Sequence, residues 1–429
     1  MFVTLRVTAR EQILVIGRLS LGQGAQSALR NGSWLIGSYW IESVLRLVYA
    51  VAIARTLGAD EFGIWSYTIA LYTFLIGLLG FGMETQLPLS LGRGRSRQRD
   101  VVRTALMVRW TLLSVAACVL VLLAFATASG TTRLAILIAV PAVLGRGSAL
   151  FAHWTFTGLE RTRLVFRATV LVRVPEILIG LALLSVGFGI IVLLFVHAMA
   201  WLAEGLFALW MLSRETGGLR GRFDRRLMKV MVARGLPLGV AGGFNQWLTS
   251  GPILLVKLLS GDLAIVGQFA LAQQIAVIAA TTFQKFISAS LPIIGRASKR
   301  RDGSADRFGY LSGLAAVTVF GAAAVVAYVL GPRMAELVFG GEFRLAGEFF
   351  APFMVVGGLM LLPMGFMQLS AARAIYWPDV MSGLAGSTIL LVSFPWLYAA
   401  WDIWGAMAAT ILAWSVKAVL ATALYRSRA

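Results

Sequence analysis

Histidine, cysteine and charged residues are scarce in this chain of 429 residues. Two histidines and one cysteine, Cys118, cannot supply a zinc cluster or an internal disulfide framework. Cys118 sits in an apolar run and reads as a small hydrophobe. There is no GxxxxGK[ST] loop, no HExxH helix and no paired-aspartate site on a polar loop. ATP hydrolysis by that loop, zinc-dependent hydrolysis and metal-assisted sugar transfer are therefore excluded. No catalytic residue, metal site or enzymatic activity is expected. Long polar segments are missing as well, and the longest, near 214–233, leaves no room for a soluble domain. A secretory signal is also lacking. Arg6, Arg10, Arg18 and Arg30 interrupt the apolar runs of the first thirty residues, which read as a basic cytoplasmic lead-in against the membrane surface.

Apolar sequence is what the chain has in excess. Hydrophobic residues make up 59% and charged residues only 13%, against about 25% charged in an ordinary soluble domain. A bilayer is the solvent that accommodates such a surface. Twelve apolar stretches have the roughly 17–25 residues that a spanning helix needs. They fall near 33–54, 62–87, 104–127, 133–153, 168–187, 189–212, 235–257, 262–290, 309–330, 347–371, 379–400 and 402–424. The expected fold is an all-α polytopic membrane protein of about twelve transmembrane helices.

The net charge of +19 is distributed by topology. With both termini cytoplasmic, twenty-seven lysines and arginines fall on cytoplasmic segments, five on external loops and six inside spans. That bias orients the chain in the inner membrane with its basic loops and both termini on the cytoplasmic side, and it fits an even number of spans. It also argues against nucleic-acid binding, because the bases sit in short loops between spans rather than along a groove.

The chain repeats itself. Arg55-Thr-Leu-Gly58-Ala-Asp-Glu-Phe-Gly63-Ile-Trp65 corresponds to Lys257-Leu-Leu-Ser-Gly261-Asp-Leu-Ala-Ile-Val-Gly267-Gln-Phe269. Gly63 precedes Pro88 by the same interval as Gly267 precedes Pro292, and a basic loop follows each proline. An offset of 204 residues thus maps helices 1 and 2 onto helices 7 and 8. Six helices per repeat give two halves running in the same sense, with a central cavity between them. The expected units are a lead-in at 1–30, a six-helix bundle at 31–213, a cytoplasmic linker at 214–234 and a second six-helix bundle at 235–429.

Charges at mid-bilayer are costly and point to function. Arg109, Arg173 and Lys285 lie near span ends, where snorkelling accounts for them. Arg46, Arg146 and Lys417 lie deep. Glu42 is four residues before Arg46, on the same helical face, and Arg173 and Glu176 form a second same-face pair. Glu204 is midway along helix 6, with His197 two turns away. One reading makes these groups ion pairs that lock helices together. The other makes Arg46, Arg146, Arg173 and Lys417 the lining of a cationic cavity suited to phosphate. Glu42, Glu176, His197 and Glu204 are then ion-pair partners or carriers of a coupling ion. Trp40 and Trp247 are candidates for stacking on sugar rings. Gly239, Gly242 and Gly243 offer close helix packing.

The motif after helix 1, together with Arg234-Gly-Leu-Pro237 and the glycine-rich start of helix 7, resembles the polysaccharide biosynthesis flippases of the multidrug/oligosaccharidyl-lipid/polysaccharide (MOP) exporter superfamily. The resemblance implies a MATE-like fold. It implies movement of an undecaprenyl-pyrophosphate-linked oligosaccharide across the inner membrane by alternating access, for exopolysaccharide or O-antigen synthesis. It further implies H+ or Na+ gradient coupling without other cofactors, a monomeric unit, and polysaccharide polymerase or export machinery as partner. An ion-coupled multidrug exporter of the same superfamily and a non-transport membrane assembly protein are the alternatives.

Overall fold

The computed structural model describes residues 23–91, 98–219, 221–289, 304–372 and 375–426. Most of the basic lead-in, the arginine-rich stretches at 92–97 and 290–303, Pro292 and Arg373 lie outside the described residues.

Every regular element among the described residues is helical. In chain order these are α1 (Gln23–Leu78), α2 (Met83–Leu91), α3 (Gln98–Thr127), α4 (Gly130–Ile138), α5 (Val140–Gly158), α6 (Arg163–Ser185) and α7 (Ile190–Glu215). The second half holds α8 (Arg225–Ser260), α9 (Leu263–Ala289), α10 (Ser304–Phe339), α11 (Arg344–Leu361), α12 (Met364–Ala372) and α13 (Trp377–Arg426). Ten helical stretches among the described residues are long and apolar enough to cross a membrane. Two of them, Gly32–Leu78 and Trp377–Tyr425, have 47 and 49 residues. At 1.5 Å per residue each is about 70 Å long, twice the hydrocarbon thickness, so each must contain two passes.

Both long helices reverse at a non-helical point. Gly58 has φ 79° and ψ −177°, a combination open to glycine and closed to residues with a Cβ. The rings of Tyr49 and Trp65, on either side of it, stack edge-on at 5.4 Å, which a continuous helix would forbid. In α13 the break is at Trp401 and Asp402, and Lys417 returns to within 3.5 Å of Asp379. The described residues therefore make twelve passes, and the chain is an all-α polytopic membrane protein.

The second pass differs from the expected 62–87 stretch. Its helix stops at Leu78, the chain turns through 79–82, and α2 takes over at Met83. Gly80 and Gly82 lie within that turn, and Phe81 and Gly82 both have positive φ. The break frees the Leu79 carbonyl, and Arg109 donates to it at 3.0 Å. This corrects the snorkelling reading of Arg109. The side chain is 0% exposed, held inside by the Leu79 and Gly147 carbonyls.

Within the first half α5 packs on α7 and α1 on α6. Within the second α10 packs on α11 and α8 on α13. The halves meet where α1 runs against α8 and α9. Gly239 and Gly243 serve close packing there. A Cβ on Gly239 would lie 2.6 Å from the Phe81 Cα, and one on Gly243 3.1 Å from the Leu78 side chain. Gly242 has open space around it.

The repeat has a three-dimensional counterpart. Gly63 and Gly267, 204 residues apart, face each other at the crossing of α1 and α9. A Cβ on Gly267 would lie 2.6 Å from the Ala59 carbonyl oxygen, and a Cβ on Gly63 would collide with the Leu263 carbonyl oxygen. Ala59 and Leu263 are also 204 apart, so the contact is reciprocal, as a two-fold relation requires. The surrounding turn is clamped. Arg55 donates to the Leu337 and Val338 carbonyls at the end of α10, at 2.7 Å for Val338. Glu342 accepts from the Ala59 N–H at 3.0 Å, Glu61 accepts from the Ile190 N–H at 3.1 Å, and Phe62 meets Phe343 edge-on. By connectivity this clamp lies on the face opposite the basic loops.

Candidate functional site

A cavity of about 310 Å³ lies beneath the glycine crossing, between the two halves. The first half contributes Glu42, Arg46 and Tyr49 from the first pass, Ser66, Ile69, Ala70 and Thr73 from the second, Arg146 from α5, Arg173 and Glu176 from α6, and His197 and Trp201 from α7. The second half contributes Gln246, Thr249, Ser250 and Ile253 from α8, and Ala270, Gln273, Gln274 and Val277 from α9. On both α8 and α9 the spacing is i, i+3, i+4, i+7, one helical face. A second compartment of about 240 Å³ shares Arg46, Arg146 and Gln274 and continues past Tyr39, His153 and Thr281. Those positions lie further along their helices toward the basic loops. The cavity thus extends toward the basic face and is shut off from the opposite one.

The candidate cations have different surroundings. Arg146 donates to Thr73 Oγ1 at 3.0 Å and lies 4.8 Å from the Trp201 ring centre. It has no carboxylate partner among the described residues. Arg46 is bonded to Glu42, but its side chain is 46% exposed, leaving other donors open to the cavity. Arg173 is 4% exposed and fully engaged. Glu204 takes its Nε at 2.8 Å and Nη2 at 2.6 Å, Glu176 takes Nη1, and Trp201 covers its face at 3.3 Å. It lies in the wall as part of a neutralised cluster.

That cluster continues through both histidines. His197 Nδ1 is 2.6 Å from Glu176 Oε1, and its Nε2 is 3.1 Å from the Trp201 indole nitrogen. An indole N–H only donates, so Nε2 accepts and the proton sits on Nδ1, donated to Glu176. The Tyr72 hydroxyl lies 2.9 Å from the same Nε2. His153, which the sequence did not single out, is 3.5 Å from Glu204. Glu176, His197 and Glu204 are therefore brought together, and Glu42 stands apart with Arg46.

Lys417 is placed elsewhere. It is 3% exposed, paired with Asp379 at 3.5 Å, and is not part of the cavity lining. Folding α13 back on itself turns it toward the start of the same helix, a partner that span depth alone does not reveal. The lining cations are thus Arg46 and Arg146, with Arg173 behind them, and three carboxylates balance three guanidinium groups. The cationic surplus expected from span counts is therefore absent around the cavity, and Arg146 stands without a direct carboxylate partner among the described residues only because Arg173 takes two. Trp40 and Trp247 also fall outside the lining, and Trp65 and Trp201 take that position. Helical spacing could have found Trp201, four residues after His197. The 204-residue offset could have found Gln246 from Glu42 and Ser250 from Arg46.

Two predictions separate wall from scaffold. Arg173→Met leaves Glu176 and Glu204 buried without a cation, a loss of about 3–5 kcal/mol. Thermal unfolding in detergent should show it, with partial recovery when Glu204→Gln is added. Lys417→Met should lower thermal stability and leave ligand affinity at the cavity unchanged. A selective affinity loss would place Lys417 in the binding site.

Residues 28–298, more than half of the chain, match the family model of polysaccharide biosynthesis proteins. The chain belongs to that family. A protein of Shigella dysenteriae that carries the name of an O-antigen transporter is 24% identical over 289 residues, covering 64% of this chain and 68% of its own length. A multidrug resistance MATE family transporter of the MOP superfamily, solved in an inward-facing conformation, aligns with TM-score 0.73 and 14% identity, over 90% of this chain and 94% of its own. A MOP superfamily transporter from Pyrococcus furiosus aligns with TM-score 0.67 and 12% identity, over 94% and 95%. The MOP transporter fold of this polysaccharide biosynthesis protein is shared with both. Every cavity residue named above falls inside the stretch matched by the family model.

Proposed function

We propose that this member of the polysaccharide biosynthesis family is a flippase that carries an undecaprenyl-diphosphate-linked oligosaccharide across the bacterial inner membrane. The observation that carries the reading is Arg146, a cavity-lining guanidinium without a carboxylate partner among the described residues, with the partly open Arg46 beside it. A guanidinium fork matches two phosphate oxygens at once. A cavity of this size takes the diphosphate and first sugars while the hydrocarbon tail stays in lipid.

The basic loops face the cytoplasm, so the clamp at Arg55, Gly63, Gly267 and Glu342 closes the external side, and the molecule is inward-facing. The likeness to a transporter solved in an inward-facing conformation supports this assignment. Alternating access rocks the bundle at 31–213 against that at 235–429, joined by the linker at 214–234, and the clamp opens as the cytoplasmic side closes. A proton or sodium gradient drives the cycle.

The competing reading is a multidrug exporter, favoured by Glu42, Glu176 and Glu204 around the cavity. Each is bonded to an arginine, which weakens its pull on a cationic drug. Reconstitution in vesicles containing lipid-linked oligosaccharide tests both. Head-group movement to the opposite leaflet supports the flippase. Efflux of cationic dyes without lipid movement assigns the protein to the second reading.

A further inference from the structure

The two walls of the cavity are equivalent by the repeat and opposite in chemistry. Adding 204 to Glu42 and Arg46 gives Gln246 and Ser250; adding 204 to Ile69 and Ala70 gives Gln273 and Gln274. All eight line the same cavity. The register of the ancestral repeat is therefore retained while the side chains have diverged. Where the first half carries an acid and a base, the second carries an amide and a hydroxyl. Where the first half is apolar, the second carries two amides. The lining residues of the second half include no charge at all.

These amides differ in how they are held. Gln273 is 5% exposed, and its Nε2 donates to the Thr249 carbonyl. That bond fixes the amide and leaves Oε1 buried without a partner. A buried amide acceptor without a hydrogen bond is costly, and it persists here on the cavity face of α9. Gln246 is oriented by donating to Ser250 Oγ at 2.7 Å. Gln274, bordering both compartments, makes no hydrogen bond to a described residue, so its donor and acceptor are both free. A carboxamide offers a donor and an acceptor side by side, the complement of neighbouring hydroxyls on a sugar ring. Neutral groups also do not compete with the arginines for phosphate.

We propose that the wall formed by Gln246, Gln273 and Gln274 is a glycan-recognition surface, which reads the sugars while Arg46 and Arg146 hold the diphosphate. This assignment rests on the flippase reading above. It gives the two halves separate tasks: the first recognises the linkage common to all such lipids, and the second sets which oligosaccharide is accepted.

Binding to the full-length protein in nanodiscs tests it with two probes, the lipid-linked oligosaccharides extracted from the producing cells and sugar-free undecaprenyl diphosphate. The wild-type protein should bind the glycosylated lipid more tightly. Gln273→Leu and Gln274→Ala should each reduce that preference by about tenfold, the size of a lost buried hydrogen bond, with affinity for the sugar-free lipid unchanged. Gln274→Ala removes no hydrogen bond to described protein groups and so keeps the test independent of folding. Equal affinity of the wild type for both lipids overturns the assignment. So does a preference that survives both substitutions, or an equal loss toward both probes. A wild-type protein that binds neither lipid overturns the flippase reading itself.

Discussion

Replacing Arg146 with glutamine is expected to abolish lipid movement while the protein still inserts and folds. Arg146 contributes little to the scaffold. Its hydrogen bond to Thr73 is lost at small cost, since Thr73 is a neutral hydroxyl beside an open cavity. The stack on Trp201 is shared with Arg173, which keeps the indole in place. Toward a diphosphate the loss is larger. Two charge-assisted hydrogen bonds at about 1.5–3 kcal/mol each correspond to at least a hundredfold in affinity, at roughly 1.4 kcal/mol per factor of ten. Arg146→Lys should recover only part, because an ammonium lacks the planar fork. Arg46→Gln should have a smaller effect, since Glu42 already neutralises much of that charge. The measurement is transbilayer movement of lipid-linked oligosaccharide in vesicles, with thermal unfolding as the folding control. Normal transport by the Arg46→Gln/Arg146→Gln double variant would remove the diphosphate site from this cavity.

Gly267→Val should stop transport by a different route. A Cβ at Gly267 is 2.6 Å from the Ala59 carbonyl oxygen, and backbone on both sides of the crossing leaves nothing flexible to yield. Overpacking of this kind costs about 1–3 kcal/mol, and moving the two halves apart relieves it. The clamp between Arg55, Ala59 and the end of α10 should then open. The substitution is expected to trap the external side open and to stall the cycle. Accessibility reads this directly. With Cys118 replaced by alanine and Ser66, in the cavity wall, replaced by cysteine, a membrane-impermeant maleimide added outside should label the Gly267→Val variant faster than its parent. Gly63→Val should behave alike, because its Cβ meets the reciprocal carbonyl of Leu263. Wild-type labelling in a transport-dead variant would show that the crossing is not the external gate.

Much of the architecture follows from the sequence by itself. Membrane residence follows from 59% hydrophobic residues with few charges, because the bilayer core admits only backbone whose hydrogen bonds close internally, and apolar runs of this length close them as helices. The repeat was legible because glycines at a close crossing cannot drift. Gly63 and Gly267 hold the 204-residue register that Ala59 and Leu263 then complete in space. Depth along the spans also identified Arg46 and Arg146, which do line the cavity.

Which charges remain free was decided only by the tertiary structure. Sequence spacing sees neighbours on one helix, so it paired Glu42 with Arg46 and Arg173 with Glu176. It could not see Glu204 reaching Arg173 from α7, Asp379 meeting Lys417 across the reversal in α13, or Arg109 satisfying the carbonyl left open at Leu79. Each of these depends on how helices far apart in the chain are brought together, and a buried charge takes whatever partner that packing supplies. The amides of the opposite wall were hidden for the same reason. Glutamine carries no charge to mark it in a span, and its meaning appears only when the fold sets Gln273 and Gln274 across one cavity from Arg46 and Arg146.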